Sequence, residues 1–297
     1  MDNYHKSVLR DEVLQILRVS IQGNWFLDAT LGDGGYALEI LKRGGKIFGV
    51  DVDPQALERA KGRLQGAGYS EQDFKLIQGN FRDIDNLLQT DAEIKFAGAI
   101  LDLGVSSLQL EIPERGFSFA KAGLLDMRMD PSLEVRALDL INGLNKGELY
   151  ELFNKYGEEK FAKSIADFVV FARSIKRIET TKELADLVVK VYQKKGYREK
   201  IHPTTRVFQA LRIAVNDELN VLEEGLPKIL GKIKKDGFIL VISFHSLEDR
   251  IVKNTFRKWQ KLGLGEILTK KPITSDKAEV EQNPRSRSAK LRVFKVL

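Results

Sequence analysis

The stretch that decides the fold is Trp25 to Tyr36, W-F-L-D-A-T-L-G-D-G-G-Y. Its opening apolar residues, Trp25, Phe26 and Leu27, read as the end of a buried parallel strand with Asp28 at the tip. Gly32, Gly34 and Gly35 then give a loop with few side chains, and a helix begins near Tyr36 and runs through Ala37, Leu38, Ile40 and Leu41. Strand, glycine loop and helix together bring bare backbone N–H groups and a helix N-terminus against a nucleotide. About twenty residues on, such a unit ends its second strand in an acid, and Lys46-Ile47-Phe48-Gly49-Val50-Asp51 supplies one. There the carboxylate of Asp51 can accept both ribose hydroxyls.

The glycines alone do not name the nucleotide. Gly32 to Ala37 satisfies G-x-G-x-x-A, which suits NAD and keeps an NAD-linked oxidoreductase in view. Charge favours S-adenosyl-L-methionine instead. A dinucleotide would bring a pyrophosphate against Asp28 and Asp33, whereas Asp28 attracts the cationic methionine end of the sulfonium cofactor. An oxidoreductase would also want a proton relay, and no such constellation stands out.

With 297 residues, 43% hydrophobic and 30% charged, the chain has the composition of a soluble globular protein with a sizeable core. No apolar run approaches the roughly 20 residues that span a bilayer, and M-D-N-Y-H-K-S lacks the features of a signal peptide. Zero cysteines exclude disulfides and thiolate metal sites and fit a reducing cytoplasm. The three histidines, at 5, 202 and 245, have no metal-ligand spacing, so no metal is expected. Positive charge gathers at the end: from Arg250 onward there are 13 Lys and Arg against 4 Asp and Glu. That asymmetry suggests a polyanionic partner. It would also suit a non-catalytic RNA-binding assembly factor, which needs no intact cofactor pocket.

The spacing predicts a helix from Ser7 to Leu17, and Asp53-Pro54 caps a second helix reaching about Leu64. A third strand, Phe74 to Gln78, leads to Phe81, an aromatic that suits either an adenine slot or the core. A fourth, Phe96 to Leu101, ends at Asp102. Strands alternating with helices make a parallel sheet covered on both faces, with ligands beyond the carboxyl ends of the strands. Asp28, Asp51, Phe81 and Asp102 should therefore share one edge.

Strand signals then stop between about Glu111 and Pro203, where Gly147 to Asn154, Glu158 to Ser174 and Lys182 to Lys195 read as helices. Such a length is an inserted all-helical domain rather than a loop. The expected division is residues 1–110 and 204–297 for the sheet domain and 111–203 for the insertion. A helix from Thr205 to Glu224 precedes a fifth strand, Gly237 to Ser243, and Gly265 to Thr269 with Leu291 to Leu297 can pair to close the sheet.

Several blocks resemble one family. D-L-G-V-S-S-L-Q (Asp102 to Gln109), E-R-G-F-S-F (Glu114 to Phe119), L-D-M-R-M-D-P (Leu125 to Pro131) and Y-G-E-E (Tyr156 to Glu159) are similar to the bacterial RsmH/MraW methyltransferases. So are H-P-T-T-R (His202 to Arg206), S-F-H-S-L-E-D-R (Ser243 to Arg250) and N-P-R-S-R-S (Asn283 to Ser288), all in the family's order. The resemblance implies a class I S-adenosylmethionine-dependent methyltransferase fold, Rossmann-like with a mostly parallel seven-stranded sheet and a helical insertion. It implies methylation of the exocyclic N4 of a cytosine in the decoding region of 16S rRNA, in the small ribosomal subunit. By position it implies cofactor contacts at Gly34, Gly35, Tyr36, Asp51, Phe81, Asp102 and Gln109. The chain departs from the family at Tyr36, where histidine is common, and at Leu108, where proline is frequent.

Such chemistry needs an acceptor for the amino protons, because the N4 lone pair is delocalised into the ring. Asp102 and His245 are the candidate catalytic residues, Asp102 doubling as a contact to the cationic methionine moiety. Ser243 and Ser246 flank His245, which would serve equally as a structural histidine bonding nearby backbone. Phe117, Phe119 and Phe244 can stack on an extruded base or fill the core. His202 and Arg206 suit phosphate contacts, and Arg285, Arg287, Lys290 and Arg292 suit a basic wall facing the insertion across an RNA groove.

Overall fold

The computed structural model describes residues 4, 6–17, 21–197 and 202–297; His5 lies outside them. The described strands are β1 (Trp25–Asp28), β2 (Lys46–Asp51), β3 (Phe74–Gln78), β4 (Phe96–Asp102), β5 (Ile233–Ser243), β6 (Gly265–Ile267) and β7 (Lys290–Val296). The first helices are α1 (Arg10–Leu17), α2 (Gly35–Leu41), α3 (Pro54–Gly66), α4 (Ile84–Leu87), α5 (Ser107–Glu111), α6 (Ala137–Gly143) and α7 (Lys146–Gly157). They are followed by α8 (Ala162–Ile175), α9 (Thr181–Lys194), α10 (Thr204–Asn216), α11 (Glu218–Leu230), α12 (Ser246–Lys261) and α13 (Lys277–Gln282). The chain forms two compact units, Met1–Gly104 with Leu219–Leu297, and Val105–Glu218.

The first unit is built on a seven-stranded sheet of order β3-β2-β1-β4-β5-β7-β6. β1 to β5 pair in parallel, and β7 runs antiparallel between β5 and β6. This is the Rossmann-like class I arrangement that the motifs imply. β4 is buried at every position from Phe96 to Leu101, as a central parallel strand covered on both faces must be. One face carries a core of Val13, Leu17, Ile40 and Leu64 from α1 to α3. The other carries Leu222, Leu226, Val252 and Phe256 from α11 and α12, with Phe256, Trp259 and Phe294 ring centroids 5.3–5.5 Å apart.

The helix expected over Ser7 to Leu17 begins only at Arg10, because Leu9 takes a left-handed conformation (φ 51°). The helix expected from Thr205 to Glu224 is two helices, broken at Asp217 (φ 53°). Asn216 fixes the break: its side-chain carbonyl accepts the Met129 N–H at 2.7 Å and its amide donates to the Met127 carbonyl at 2.8 Å. α10 packs on α7. The helical unit therefore runs to Glu218 rather than stopping at Pro203.

In this second unit the Y-G-E-E block serves the packing. A Cβ on Gly157 would lie 2.7 Å from the Arg206 carbonyl oxygen, so glycine lets α7 approach the backbone of α10. Glu158 turns the chain in a left-handed conformation (φ 47°). Glu159 is buried and accepts from the Tyr192 hydroxyl at 2.8 Å and the Phe161 N–H at 2.8 Å. In L-D-M-R-M-D-P, Asp126 likewise takes a forked pair of 2.8 Å hydrogen bonds from Arg128. Gly157→Ala is expected to destabilise the helical unit by about 1–3 kcal/mol, the usual cost of overpacking. The readout is faster hydrogen exchange of the α7 and α10 amides with β4 and β5 unaltered; unchanged exchange contradicts the close contact.

Candidate functional site

Three acids end three adjoining strands: Asp51 on β2, Asp28 on β1 and Asp102 on β4, in that spatial order. Register ties them together, since Asp28 stands opposite Gly49 on β2 and Ile100 on β4. They occupy the carboxyl edge beside the point where strand order reverses, the expected ligand crevice of an open parallel sheet. The chain also locks this edge from within. Ala29 N–H donates to the Ile100 carbonyl at 2.9 Å, and Asp102 N–H donates to the Thr30 hydroxyl at 2.6 Å.

All three carboxyls are held above the ordinary range. Asp28 is fully buried, and neither of its oxygens has a hydrogen-bond partner. Burial pushes its pKa up to about 7; the Thr30 amide offsets part of the rise without completing a hydrogen bond, and the charge of Asp51 adds a smaller increment. Burial raises Asp51 to about 6 despite the N–H groups it accepts. Asp102 is raised well above its ordinary value, first by burial and then by the charges of Asp28, Glu248 and Glu279; its Oδ1 is also without a partner. Three carboxylates cannot all be charged here without a cation, and a ligand that brings one fits the donor set.

The glycine loop is shaped for close approach. Asp51 fixes it by accepting the Gly32 N–H at 2.8 Å and the Asp53 N–H at 2.9 Å. Gly34 precedes α2 in a left-handed conformation (φ 70°), and a Cβ on Gly35 would lie 2.0 Å from the Ser7 hydroxyl. Asp53 caps α3 by accepting the Gln55 N–H at 3.0 Å, as its place before Pro54 foretold. Asp33 turns away to Arg59 at 2.8 Å, so its charge is compensated and the repulsion expected from it does not arise. The case against a pyrophosphate then rests on Asp28, Asp51 and Asp102.

Tyr36 is buried, and its hydroxyl donates to the Val8 carbonyl. Its side chain therefore anchors the N-terminal segment. Leu9 N–H donates to Glu279 at 2.7 Å, and the Arg63 guanidinium lies 4.6 Å from the centre of the Tyr4 ring. Ser7 and Glu279 were missed in the sequence because these contacts join distant residues. The fit of Gly35 against Ser7 leaves no local pattern to read.

Other candidates fall elsewhere. The Phe81 ring packs on Gly225, where a Cβ would lie 2.5 Å from it, so the core reading holds for the ring. His245 caps α12: Nδ1 accepts the Glu248 N–H at 3.3 Å, and Nε2 lies 3.2 Å from Glu248 Oε1. Glu248 in turn accepts the Phe244 N–H at 2.8 Å, so this motif shapes the turn after β5. Phe244 packs against the core on the α2 side. Arg292 is buried and forks onto Asp249 at 2.6 and 3.3 Å, with Lys290 at 3.6 Å; these two are tied to α12 rather than free for RNA. Arg285 and Arg287 are exposed.

Gln109, Phe117, Phe119, His202 and Arg206 belong to the helical unit. Gln109 forms a capping box, its side-chain oxygen accepting the Ser106 N–H at 3.0 Å. Phe119 stacks on His202 at 4.6 Å and meets Phe208 edge-on at 5.2 Å, and Phe117 is in the core of that unit. Among the described residues no helix is long and apolar enough to cross a membrane.

The profile of the MraW methylase family matches residues 2–297. Proteins named ribosomal RNA small subunit methyltransferase H are similar along nearly the whole chain. That of Sulfurihydrogenibium sp. (strain YO3AOP1) is 49% identical over 291 residues, covering 97% of this chain and 98% of its own. That of Persephonella marina is 49% identical over 294 residues, with 98% of each covered. That of Citrifermentans bemidjiense is 46% identical over 310 residues, again with 98% of each covered.

The raised carboxyls set a pH dependence. An unfolded Asp titrates near 3.9, so between there and about 7 the folded state holds a proton at Asp28 that the unfolded state gives up. Stability from this group is full below the unfolded pKa and is lost as pH rises through about 7. Asp28→Asn should therefore stabilise the ligand-free protein, little near pH 4 and by up to roughly 4 kcal/mol at pH 8. Thermal melts across that range check it; a gain independent of pH contradicts the burial argument.

Proposed function

The chain belongs to the MraW methylase family, and on that premise we propose that it transfers a methyl group from S-adenosyl-L-methionine to small-subunit ribosomal RNA. The substrate class is the one its relatives are named for. The finer assignment, the exocyclic N4 of a cytidine in the decoding region of 16S rRNA, follows the motif resemblance. The observation that carries the cofactor is the buried, unpartnered carboxylate of Asp28 with the unpartnered Oδ1 of Asp102, beside Asp51.

When bound, S-adenosyl-L-methionine supplies an electrophilic methyl group on its sulfonium. Asp28 and Asp102 would hold the positive methionine end, and Asp51 has lone pairs left over from its two N–H contacts for the ribose hydroxyls. Gly34, Gly35 and Tyr36 would contribute backbone at the start of α2. Phe81 would contribute backbone near the adenine, and Gln109 completes the proposed contacts.

Orientation of the nucleophile is the protein's main contribution, worth roughly 7–11 kcal/mol in favourable cases. An acceptor for the N4 proton must be ionised. Burial favours the neutral form of Asp102, and a positive neighbour favours the ionised one. That supports Asp102 as cofactor contact first and acceptor second. The cap geometry of His245 supports a positioning role, aligning the turn after β5.

The helical unit is proposed as the substrate-recognition domain. The chain leaves for it at Gly104, just past the carboxylate of β4. Methyl transfer from labelled cofactor to small ribosomal subunits tests the reading, and no transfer by the wild-type protein overturns it. Asp51→Ala should weaken cofactor binding by about 1.5–3 kcal/mol, as for a hydrogen bond to a charged group. Calorimetry that finds unchanged affinity removes Asp51 from the ribose.

A further inference from the structure

On the flank of the first unit, α12 and the β6–β7 edge enclose a groove of about 590 Å³. Lys253, Arg257 and Lys261 line one wall at four-residue intervals, rising about 6 Å per step along one face of the helix. Lys270 faces them, and Phe256 and Ile267 also line the groove. No carboxylate lines it. Among the described residues, these four cations have no ion-pair or hydrogen-bond partner. Arg292 reaches it too, but stays tied to Asp249.

The fold does not need this arrangement. Lys253 with Arg257, and Arg257 with Lys261, are like-charge pairs at i,i+4, which weaken a helix by a few tenths of a kcal/mol each. Four uncompensated cations converging on one groove create a positive field that a string of phosphates answers, one cation to each neighbouring phosphate. A single small anion would use only one or two of them.

We propose that this groove binds the sugar-phosphate backbone of the RNA substrate, away from the strand tips where methyl transfer is placed. The assignment rests on the reading of ribosomal RNA as substrate. It adds a second RNA contact, one that positions the molecule without reading its sequence. This contact is formed by the outer face of α12 rather than by Lys290 and Arg292, the residues the basic tail first brings to mind.

The test compares the wild type with a variant carrying Lys253→Ala, Arg257→Ala, Lys261→Ala and Lys270→Ala, in equilibrium binding to 16S ribosomal RNA over a range of salt. Affinity should fall by tenfold or more at low salt. The log–log salt slope should shrink by roughly 0.7–0.9 per cation, about three in all. Affinity for S-adenosyl-L-methionine and the melting temperature should stay at wild-type values or above. As a check that needs no variant, bound RNA should shield Lys253, Lys261 and Lys270 of the wild type from acetylation. A wild type that binds the RNA while the variant binds it with equal affinity and slope overturns the groove and leaves the substrate reading intact. So does wild-type RNA binding without lysine protection, or protection produced by an acidic polypeptide alone. A wild type that neither binds nor methylates the RNA overturns both.

Discussion

Negative charge stripped of water is the constraint around which the sheet edge is arranged. Asp28, Asp51 and Asp102 end three adjoining strands, and burial raises every one of them. A core that gained only stability would have apolar residues there, since an unpaired buried carboxylate costs several kcal/mol as an ion. Retaining Asp28 and Asp102 there, with Asp51 beside them, makes sense if the cost is offset when a cation arrives. A sulfonium nucleoside brings a positive centre and ribose hydroxyls together, which is what this edge can hold.

The rest of the first unit keeps Asp28 fully buried, Asp51 and Asp102 half-buried beside it, and all three in register. Parallel pairing fixes Asp28 between Gly49 and Ile100. Asp51 ties the glycine loop to the end of β2 through two N–H groups. Tyr36 and Glu279 draw the N-terminal segment across the start of α2. Tyrosine at position 36 therefore has a structural use, since the phenol reaches a backbone carbonyl.

Much of this was legible because it is local. The apolar run before Asp28, the glycines and the acid closing β2 lie within one strand-loop-helix-strand unit, and Asp53-Pro54 announces its own cap. What stayed hidden depends on partners far along the chain. Arg59 neutralises Asp33 across 26 residues, and Asp249 claims Arg292 across 43. The break at Asp217 was invisible because apolar periodicity continues through two consecutive helices. Motif residues were also divided differently from their appearance: Gly157, Glu159 and Glu248 are occupied in packing and capping. By contrast, both oxygens of Asp28 and Oδ1 of Asp102 are left without partners and so remain available.

Proton release on cofactor binding tests the central claim most directly. Titration calorimetry in buffers of different ionisation enthalpy, near pH 6.5, counts the protons that leave when S-adenosyl-L-methionine or S-adenosyl-L-homocysteine binds. If a positive sulfur discharges the raised carboxyls, the methionine form expels more protons than its neutral-sulfur product, and its affinity climbs as pH increases toward 8. Equal proton counts for the two ligands, with affinity flat in pH, would contradict the account.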